Sequence, residues 1–410
     1  MTVYTGQSGN TYMTATSFMG KGKTSKVFEL QNHYDKVVKV YKPADRTTGR
    51  ELKLKHMVTL RPLPKRAAWP DEIINETGEF SGYVMKKISD SKTINEVYAS
   101  NDQIGNLEFR LAVAHYLCDA VHEVHELGQV VGDFNPSNIM VNRNGYVTLV
   151  DTDSFHIQNP NNAVRPFRCI EAHSEFVAPE LIEKAENGMT YANMPLETFT
   201  KETDRFAVAI HIFALLMNGY NPYIAGAKII PGESIPAPPT KEGGIKLGFT
   251  PYFMTDPKFK IPDDAPAIST LPLNIQQMFR LAFVEGHKDP SKRPTCSQMA
   301  VAIKKWFSDV QTERLTKAAA STTSTLRLPA RKTTQAARPV WQTAAGQSKN
   351  NQPASQKDGR LKVYGIVAAI ILLLAVILMA ISVYSYPYEQ ESDLGIMSLG
   401  FRMFLLMTNI

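Results

Sequence analysis

The sequence predicts an α+β protein, in which one large folded unit precedes a disordered linker and a single membrane-spanning helix. Two β-rich runs around Asn144-Gly145 are typical of a hairpin. A helical pattern runs from about Leu107 to Leu127 and ends before Gly128, which favours a helix terminus. The nineteen residues from Gly365 to Val383 carry no charge and can cross a hydrocarbon layer of about 30 Å.

The composition excludes several classes of protein. Of the 410 residues, 43% are hydrophobic and 20% are charged, so the chain is neither wholly disordered nor a multi-span membrane protein. The three cysteines, Cys118, Cys169 and Cys296, are odd in number and widely spaced. We therefore expect no disulfide framework and no cysteine-bound zinc, and a reducing compartment fits best.

The net charge of +6 is concentrated outside the predicted folded unit, which spans residues 1–312. Residues 313–362 carry ten Lys and Arg against two acidic residues, which leaves residues 1–312 neutral once the acidic tail is counted. A domain that binds nucleic acid usually carries its basic charge on the folded part. We therefore expect no nucleic-acid partner.

The carboxyl-terminal part of the chain divides into a linker, a membrane span and a tail. Residues 313–362 are rich in Ala, Thr, Ser, Gln and basic residues, a composition that predicts a disordered linker. Residues 363–384 hold the uncharged run, with tyrosines at both edges as in an aromatic belt. Basic residues precede this span and acidic residues follow it, in the tail 385–410. The positive-inside rule then predicts a single-pass protein of the cell (inner) membrane with residues 1–362 in the cytoplasm.

Three oxygen-bearing side chains flank the predicted hairpin. Asp133 precedes it, Asn138 lies at its start and Asp151 lies at its end. Because a hairpin holds its two ends together, these side chains can converge on one point. Carboxylate and amide oxygens, with the oxygens of a substrate phosphate, are the ligands that Mg²⁺ requires. The sequence therefore predicts a metal-dependent phosphate site here.

The spacing of these three residues resembles that of the catalytic and metal loops of protein kinases. Other motifs of the family follow in its order between residues 18 and 310. GKGKTSKV from Gly20 is similar to the Gly-rich loop, and VVKVYK from Val37 is similar to the third strand. FVAPE, which ends at Glu180, is similar to the APE motif, and an apolar helix begins at Asp204. DPSKRPT contains Arg293, which pairs with the APE glutamate in the family.

A closer resemblance is to a bacterial subgroup of Ser/Thr-kinase-like proteins. The motifs that carry it are AAWP, GYVM, GDFNPSNI, DTDSF and DRFAVAIHIFALL. The resemblance implies a bilobal protein-kinase-like fold, with a β-rich N-lobe at about 14–88 and a helical C-lobe at about 89–312. It also implies ATP as cofactor with Mg²⁺, or Mn²⁺ in its place, and a protein substrate.

The resemblance implies a nucleotide site in the N-lobe. Gly20 and Gly22 let the backbone approach the phosphates, and three apolar residues, Val27, Val37 and Met85, line the nucleotide pocket. It also implies the catalytic set. Lys39, oriented by Glu51 at the start of a helix, holds the α- and β-phosphates.

The roles of the hairpin residues follow from the same resemblance. Asn138 and Asp151 bind the metal ion, and Asp133 accepts the proton of the acceptor hydroxyl or orients that hydroxyl.

Departures from the family pattern leave regulation and substrate choice open. Val131 and Gly132 replace the His-Arg before the catalytic Asp, so no arginine is available there to receive an activation-loop phosphate. His173 stands at a threonine position before the APE motif. Asp153 replaces the glycine of the metal loop, and it is either a solvated loop acid or an extra contact to metal or substrate.

The function favoured by this reading is a membrane-anchored, cytoplasmic ATP-dependent protein kinase that phosphorylates a protein hydroxyl, with Ser or Thr favoured. Two alternatives stay open. One is a nucleotide-binding pseudokinase scaffold. The other is a small-molecule kinase of the aminoglycoside or choline kinase type, because these relatives share a Gly-Asp before the x4-Asn and a second acid after the metal-binding Asp.

Overall fold

A computed structural model of the chain describes residues 1–98, 107–161, 166–186, 188–191, 193–194 and 198–325. These residues lie within one compact unit, Met1–Pro329. The predicted membrane span at 363–384 and the tail at 385–410 lie outside the described residues, as does the linker from residue 326 onward. In the part of the chain that is described, no helix has the length and apolar character needed to cross a membrane.

The amino-terminal part is a closed barrel of six antiparallel strands with one helix beside it. Its elements are β1 (Val3–Gly6), β2 (Thr11–Lys21), β3 (Ser25–Leu30), β4 (Lys36–Tyr41), α1 (Thr48–Thr59), β5 (Pro70–Glu76) and β6 (Glu79–Lys86). The strands pair in the order β1-β2-β3-β4-β6-β5, and β5 returns to β1 to close the barrel. Closure leaves no unpaired edge in this sheet.

Strand β4 turns alternate side chains to the inside and the outside of the barrel. Val38 and Val40 belong to a small core inside the barrel. Val37 and Tyr41 belong to the main core of the domain. Since side chains alternate along a strand, Lys39 lies with Val37 and Tyr41 on the outer face, toward the rest of the domain.

Helix α1 packs against the outer face of the barrel through one side only. Its amino terminus is capped by Thr47, whose hydroxyl accepts a hydrogen bond from the Arg50 backbone N–H at 3.3 Å. Its buried residues are Lys53, Leu54 and Met57, which lie on neighbouring positions of the helix surface. This face determines which α1 side chains reach the cleft.

The second part of the domain is mainly helical, with a three-stranded sheet at the cleft. Its elements are β7 (Ser91–Thr93), α2 (Ile94–Tyr98), α3 (Leu107–Glu126), β8 (Ile139–Asn142), β9 (Val147–Leu149), α4 (Pro179–Glu186), α5 (Lys201–Leu216), β10 (Gly226–Ala227), α6 (Lys241–Leu247), β11 (Phe259–Lys260), α7 (Leu273–Arg280), α8 (Gly286–Lys288) and α9 (Cys296–Thr325). The predicted helix near 107–127 is confirmed as α3. The predicted hairpin is confirmed as β8 and β9, which pair antiparallel.

Helix α9 extends the folded unit beyond the predicted boundary. The prediction that a linker begins at residue 313 is wrong, because α9 continues to Thr325. Arg314 forms an ion pair at 3.1 Å with Glu108 of α3, and Lys317 pairs with Glu313 one turn earlier at 2.7 Å. Composition alone does not reveal such contacts with a distant helix.

An ion pair between a fully buried arginine and a partly buried glutamate connects α4 to the segment before α9. The Arg293 guanidinium donates to both carboxylate oxygens of Glu180, at 2.7 and 2.8 Å. Its Nε donates to the Gly286 carbonyl at 2.8 Å. The expectation that these two motifs meet is confirmed.

Candidate active site

The β8–β9 hairpin brings Asp133, Asn138 and Asp151 together, as their spacing predicts. The Asn138 amide donates to Oδ2 of Asp133 at 3.1 Å. The Val150 N–H donates to the Asn138 carbonyl at 2.9 Å, which holds the start of the hairpin beside its end. The three side chains therefore share one site at the mouth of the hairpin.

Asp133 lies in an environment that disfavours its charge. Its Oδ1 is buried and has no hydrogen-bond partner among the described residues. Burial and, to a lesser extent, the negative charge of Asp151 raise the pKa of Asp133 to about 6. A carboxylate of this kind accepts a proton near neutral pH more readily than an exposed aspartate does.

Asp204, in the first turn of α5, holds the loop that carries Asp133. Its Oδ1 accepts the Gly132 N–H at 2.9 Å, and its Oδ2 accepts the Val131 N–H at 2.8 Å. The same Oδ2 contacts Nε2 of His125 at 2.8 Å. The backbone just before Asp133 is thus fixed by a fully buried carboxylate.

Gly132 has a left-handed backbone that leaves no room for a side chain. Its φ is +81°, and a Cβ at this position would lie 2.9 Å from the Sγ of Cys169. An arginine at this position would therefore strain the backbone and require Cys169 to shift.

Lys39 lies in a buried cluster of charged and hydroxyl groups. Its ammonium forms ion pairs with Asp151 and, at 2.5 Å, with Oδ1 of Asp153. The hydroxyls of Tyr41 and Tyr83 donate to Asp153 at 2.6 and 2.9 Å. Burial lowers the pKa of Lys39, but the two carboxylates outweigh it and the net pKa is raised. Burial raises the pKa of Asp153, but the Lys39 ammonium and the two hydroxyls hold it well below its usual range.

The interpretation of Asp153 as a solvated loop acid is wrong. Its side chain is 8% exposed, whereas that of Asp151 is 43% exposed. The sequence contains a signal for this role, because DTDSF places a second acid two residues after the expected metal ligand. Only the fold shows that this acid turns toward Lys39.

The expectation that Glu51 pairs with Lys39 is also wrong. Glu51 forms an ion pair with Lys55, one turn later on the same helix, at 2.6 Å. The buried face of α1 is set by Lys53, Leu54 and Met57, and Glu51 lies at the edge of that face, about 60° around the helix axis from Leu54. Its side chain is 29% exposed and its carboxylate pairs along the helix with Lys55, so it does not serve Lys39.

Lys53, which the sequence reasoning did not single out, occupies the inward position on α1. Its ammonium donates to the backbone carbonyls of Asp153 at 2.6 Å and Phe155 at 2.5 Å. Burial lowers the pKa of Lys53 to about 8. The lysine therefore joins α1 to the loop that follows Asp151.

Asp151 itself has a strained backbone. Its φ of 58° and ψ of 35° lie in the left-handed region, which non-glycine residues seldom adopt. The Ser154 hydroxyl donates to the Asp151 carbonyl at 2.8 Å and supports this conformation. Such strain persists where surrounding contacts fix it, and it directs the exposed carboxylate into the cleft.

The apolar residues expected at the nucleotide pocket lie beside Lys39. Val27 is directly opposite Lys39 across β3 and β4, and Val37 is opposite Met85 across β4 and β6. Directly paired residues share a sheet face, so all four side chains lie on the outer face of the barrel. They form an apolar wall next to the buried ammonium.

The two glycines lie at the end of β2 and in the turn that follows. Gly20 pairs with Val27, and a Cβ at Gly20 would meet nothing within 4 Å. Gly22 belongs to the turn, where its N–H donates to the Ser25 carbonyl at 2.9 Å. This turn borders a cleft of about 570 Å³ that Lys39, Asp151 and Asp153 also line.

The oxygen donors at the hairpin fit a magnesium ion bound with a nucleotide. In the described ranges, no group of three or more His, Cys, Asp or Glu side chains has the arrangement needed to hold a metal ion alone. Mg²⁺ commonly takes only one or two protein ligands and completes its shell with phosphate oxygens and water. The amide of Asn138 and the exposed carboxylate of Asp151 supply ligands of that kind.

Comparison with known proteins supports a kinase. No family model matches the chain. Over 299 residues it is 28% identical to "Protein kinase YegI" of Escherichia coli strain K12, which covers 70% of this chain and 43% of that protein. The counterpart from Escherichia coli O157:H7 is also 28% identical, over 297 residues. The chain thus spans less than half the length of these relatives.

A shorter match points the same way. Over 113 residues the chain is 24% identical to "Rho-associated protein kinase let-502" of Caenorhabditis briggsae, which covers 28% of this chain and 9% of that protein. The similarities together support a protein-kinase-like superfamily and a phosphotransferase enzyme.

Proposed function

We propose that the protein is an ATP-dependent protein kinase that transfers the γ-phosphoryl group to a protein hydroxyl, with Ser and Thr as the favoured acceptors. The observation that carries the proposal is the meeting of Asp133, Asn138 and Asp151 at the hairpin, with Asp151 paired to the buried ammonium of Lys39. The similarity to curated protein kinases supports the same reaction class.

The nucleotide is held by the barrel. Val27, Val37 and Met85 offer an apolar surface for adenine, and the Gly20–Gly22 segment lets the backbone approach the phosphates. The Lys39 ammonium holds the α- and β-phosphates. These groups bind and orient ATP, and positioning of this kind supplies much of the rate in phosphoryl transfer.

Asn138 and Asp151 hold Mg²⁺, or Mn²⁺ in its place. When bound, the ion neutralises part of the charge on the phosphates. The exposure of the Asp151 carboxylate supports this role, because that side chain can turn from Lys39 toward an ion in the cleft.

Asp133 receives the proton. The acceptor hydroxyl oxygen forms a bond to the γ-phosphorus, the bond from that phosphorus to the β–γ bridging oxygen breaks, and the hydroxyl proton passes to Oδ1 of Asp133. The unpartnered state of this oxygen and the raised pKa of its carboxyl suit a group that takes up a proton.

The purified full chain, incubated with γ-labelled ATP, Mg²⁺ and a heat-treated cell extract that supplies protein and small-molecule acceptors, should transfer label to protein, and a Lys39→Met chain should transfer none. Separating protein from small molecules decides between the alternatives. Label in a metabolite indicates a small-molecule kinase. ATP binding without any transfer indicates a pseudokinase scaffold, and either result contradicts the proposed function.

We also propose that residues 363–384 anchor the protein in the cell (inner) membrane, with the catalytic unit in the cytoplasm. The support is the uncharged run and the basic-before-acidic charges around it. Deletion of residues 361–410 should move the protein from the membrane fraction to the soluble fraction with its fold intact. Retention in the membrane fraction, or labelling of residues before 360 from the outside, contradicts this topology.

A further inference from the structure

We propose that Asp153 is the positioning residue of Lys39 and fills the role that the family resemblance assigns to Glu51. Lys53 connects the loop of Asp153 to α1 through hydrogen bonds. The inference rests on the proposed function, because it concerns how Lys39 is held for the nucleotide phosphates. In this arrangement the permanent ion-pair partner of Lys39 is Asp153, in the loop after Asp151. Helix α1 contributes through Lys53, which contacts the backbone of that loop.

Both oxygens of the Asp153 carboxylate accept hydrogen bonds within the protein. Its Oδ1 receives the Lys39 ammonium at 2.5 Å and the Tyr83 hydroxyl at 2.9 Å, and its Oδ2 receives the Tyr41 hydroxyl at 2.6 Å. Both tyrosines are themselves buried in the main core. With donors on both oxygens, Asp153 is held in one place and is not free to bind a metal ion.

The two partners of Lys39 differ in what else they can do. Asp151 is partly exposed in the cleft, so it can exchange its contact with Lys39 for a contact with a metal ion. Asp153 is enclosed and has no such exchange available. A buried ammonium needs a counter-charge, and once Asp151 binds metal, Asp153 is the carboxylate in the described structure that still pairs with Lys39 and holds it beside the nucleotide phosphates.

Lys53 fixes the loop that carries Asp153. Its ammonium donates to the carbonyls of Asp153 and Phe155, and on the other side the Thr152 hydroxyl donates to the Ala68 carbonyl at 3.0 Å. The loop is therefore held between α1 and the segment before β5. In this way α1 contributes to the Lys39 site without a carboxylate of its own.

The test compares Asp153→Asn with Glu51→Gln in the purified full chain. Asp153→Asn should raise the KM for ATP about 10- to 100-fold, the range expected for losing a hydrogen-bonded charge partner. Glu51→Gln should change that KM less than about 3-fold, because Glu51 pairs with Lys55 on the same helix and such partly exposed pairs contribute little. If Asp153→Asn does not fold, Tyr83→Phe removes a donor to the same Oδ1 and should raise the KM about 3-fold.

A double variant separates positioning from a general structural role. If Asp153 acts through Lys39, then Lys39→Met/Asp153→Asn should bind MgATP no more weakly than Lys39→Met alone. Binding is read from the MgATP-induced rise in melting temperature, taken relative to each variant without nucleotide. If the role of Asp153 is purely structural, the losses of MgATP affinity caused by Lys39→Met and by Asp153→Asn should add up in the double variant.

The outcomes separate the inference from the proposed function. Additive losses, or a large KM effect of Glu51→Gln with none of Asp153→Asn, overturn the inference and leave the kinase proposal standing. A parent chain that neither binds nor uses MgATP overturns both.

Discussion

Asp133→Asn is expected to lower phosphoryl-transfer turnover about 100-fold or more and to leave the affinity for MgATP nearly unchanged. The substitution keeps the shape of the side chain but removes the charge and most of the basicity of Oδ1, and general-base contributions are about 10²–10⁴-fold. Asn138 can still contact the new amide oxygen, so the loop keeps its form. Turnover under saturating ATP and a separate nucleotide titration measure the two effects.

Asp151→Asn is the matched comparison for this prediction. Its carboxylate is expected to hold Mg²⁺, so its loss should weaken MgATP binding as well as turnover. Equal loss of binding in the two variants would contradict the separate roles assigned to Asp133 and Asp151.

The stability of Asp133→Asn provides an independent control. In the folded protein the pKa of Asp133 is about 6 against an ordinary value of 3.8, so the folded state binds this proton more tightly than the unfolded state. Ionisation of Asp133 therefore destabilises the fold as pH rises from about 4 to about 6. At pH 7 the Asn variant should be at least as stable as the parent, and its relative advantage should shrink at pH 4. A variant that is inactive because it is unfolded would show the opposite order at pH 7.

Arg293→Ala is expected to lower the free energy of unfolding by about 3–5 kcal/mol, the cost of breaking a buried ion pair from one side. The Arg293 side chain is fully buried and donates to Glu180 and to the Gly286 and Glu202 carbonyls. Its removal leaves a charge and two carbonyls without their donors and opens a cavity. Chemical denaturation, followed by tryptophan fluorescence, measures the loss.

Arg314→Ala is the matched control for that measurement. It removes the same side chain from an ion pair in which the arginine is 71% exposed, so it should cost no more than about 1 kcal/mol. If the two variants unfold at the same denaturant concentration, the Glu180–Arg293 pair does not stabilise the fold as its geometry indicates.

The sequence predicts those parts of the site that depend on local geometry. A short hairpin brings its two ends together, and this constraint places Asp133, Asn138 and Asp151 close to one another. The constraint can be read from the spacing of these residues in the sequence. The partner of Lys39 is different, because it depends on which face of α1 packs against the barrel. Lys53, Leu54 and Met57 form the buried face, and Glu51 lies at its edge, where its carboxylate pairs with Lys55.

The end of the folded unit shows a similar limit. Residues after 313 have the composition of a linker, yet α9 continues along α3 with Arg314 bonded to Glu108. Composition reports how much surface a segment can bury by itself. It does not report the contacts that a neighbouring helix, here α3, makes with that segment.

The backbone at Gly132 restricts how this protein can evolve. A single amino-acid substitution would place an arginine at that position of the sequence. In the molecule, however, its Cβ would lie 2.9 Å from Cys169, on a backbone with a φ of +81° that strains any residue with a side chain. Cys169 and the path of the loop would have to change with it. An arginine introduced here by a single substitution would therefore strain the loop that carries Asp133 and displace Cys169, which favours selection for new control at other positions.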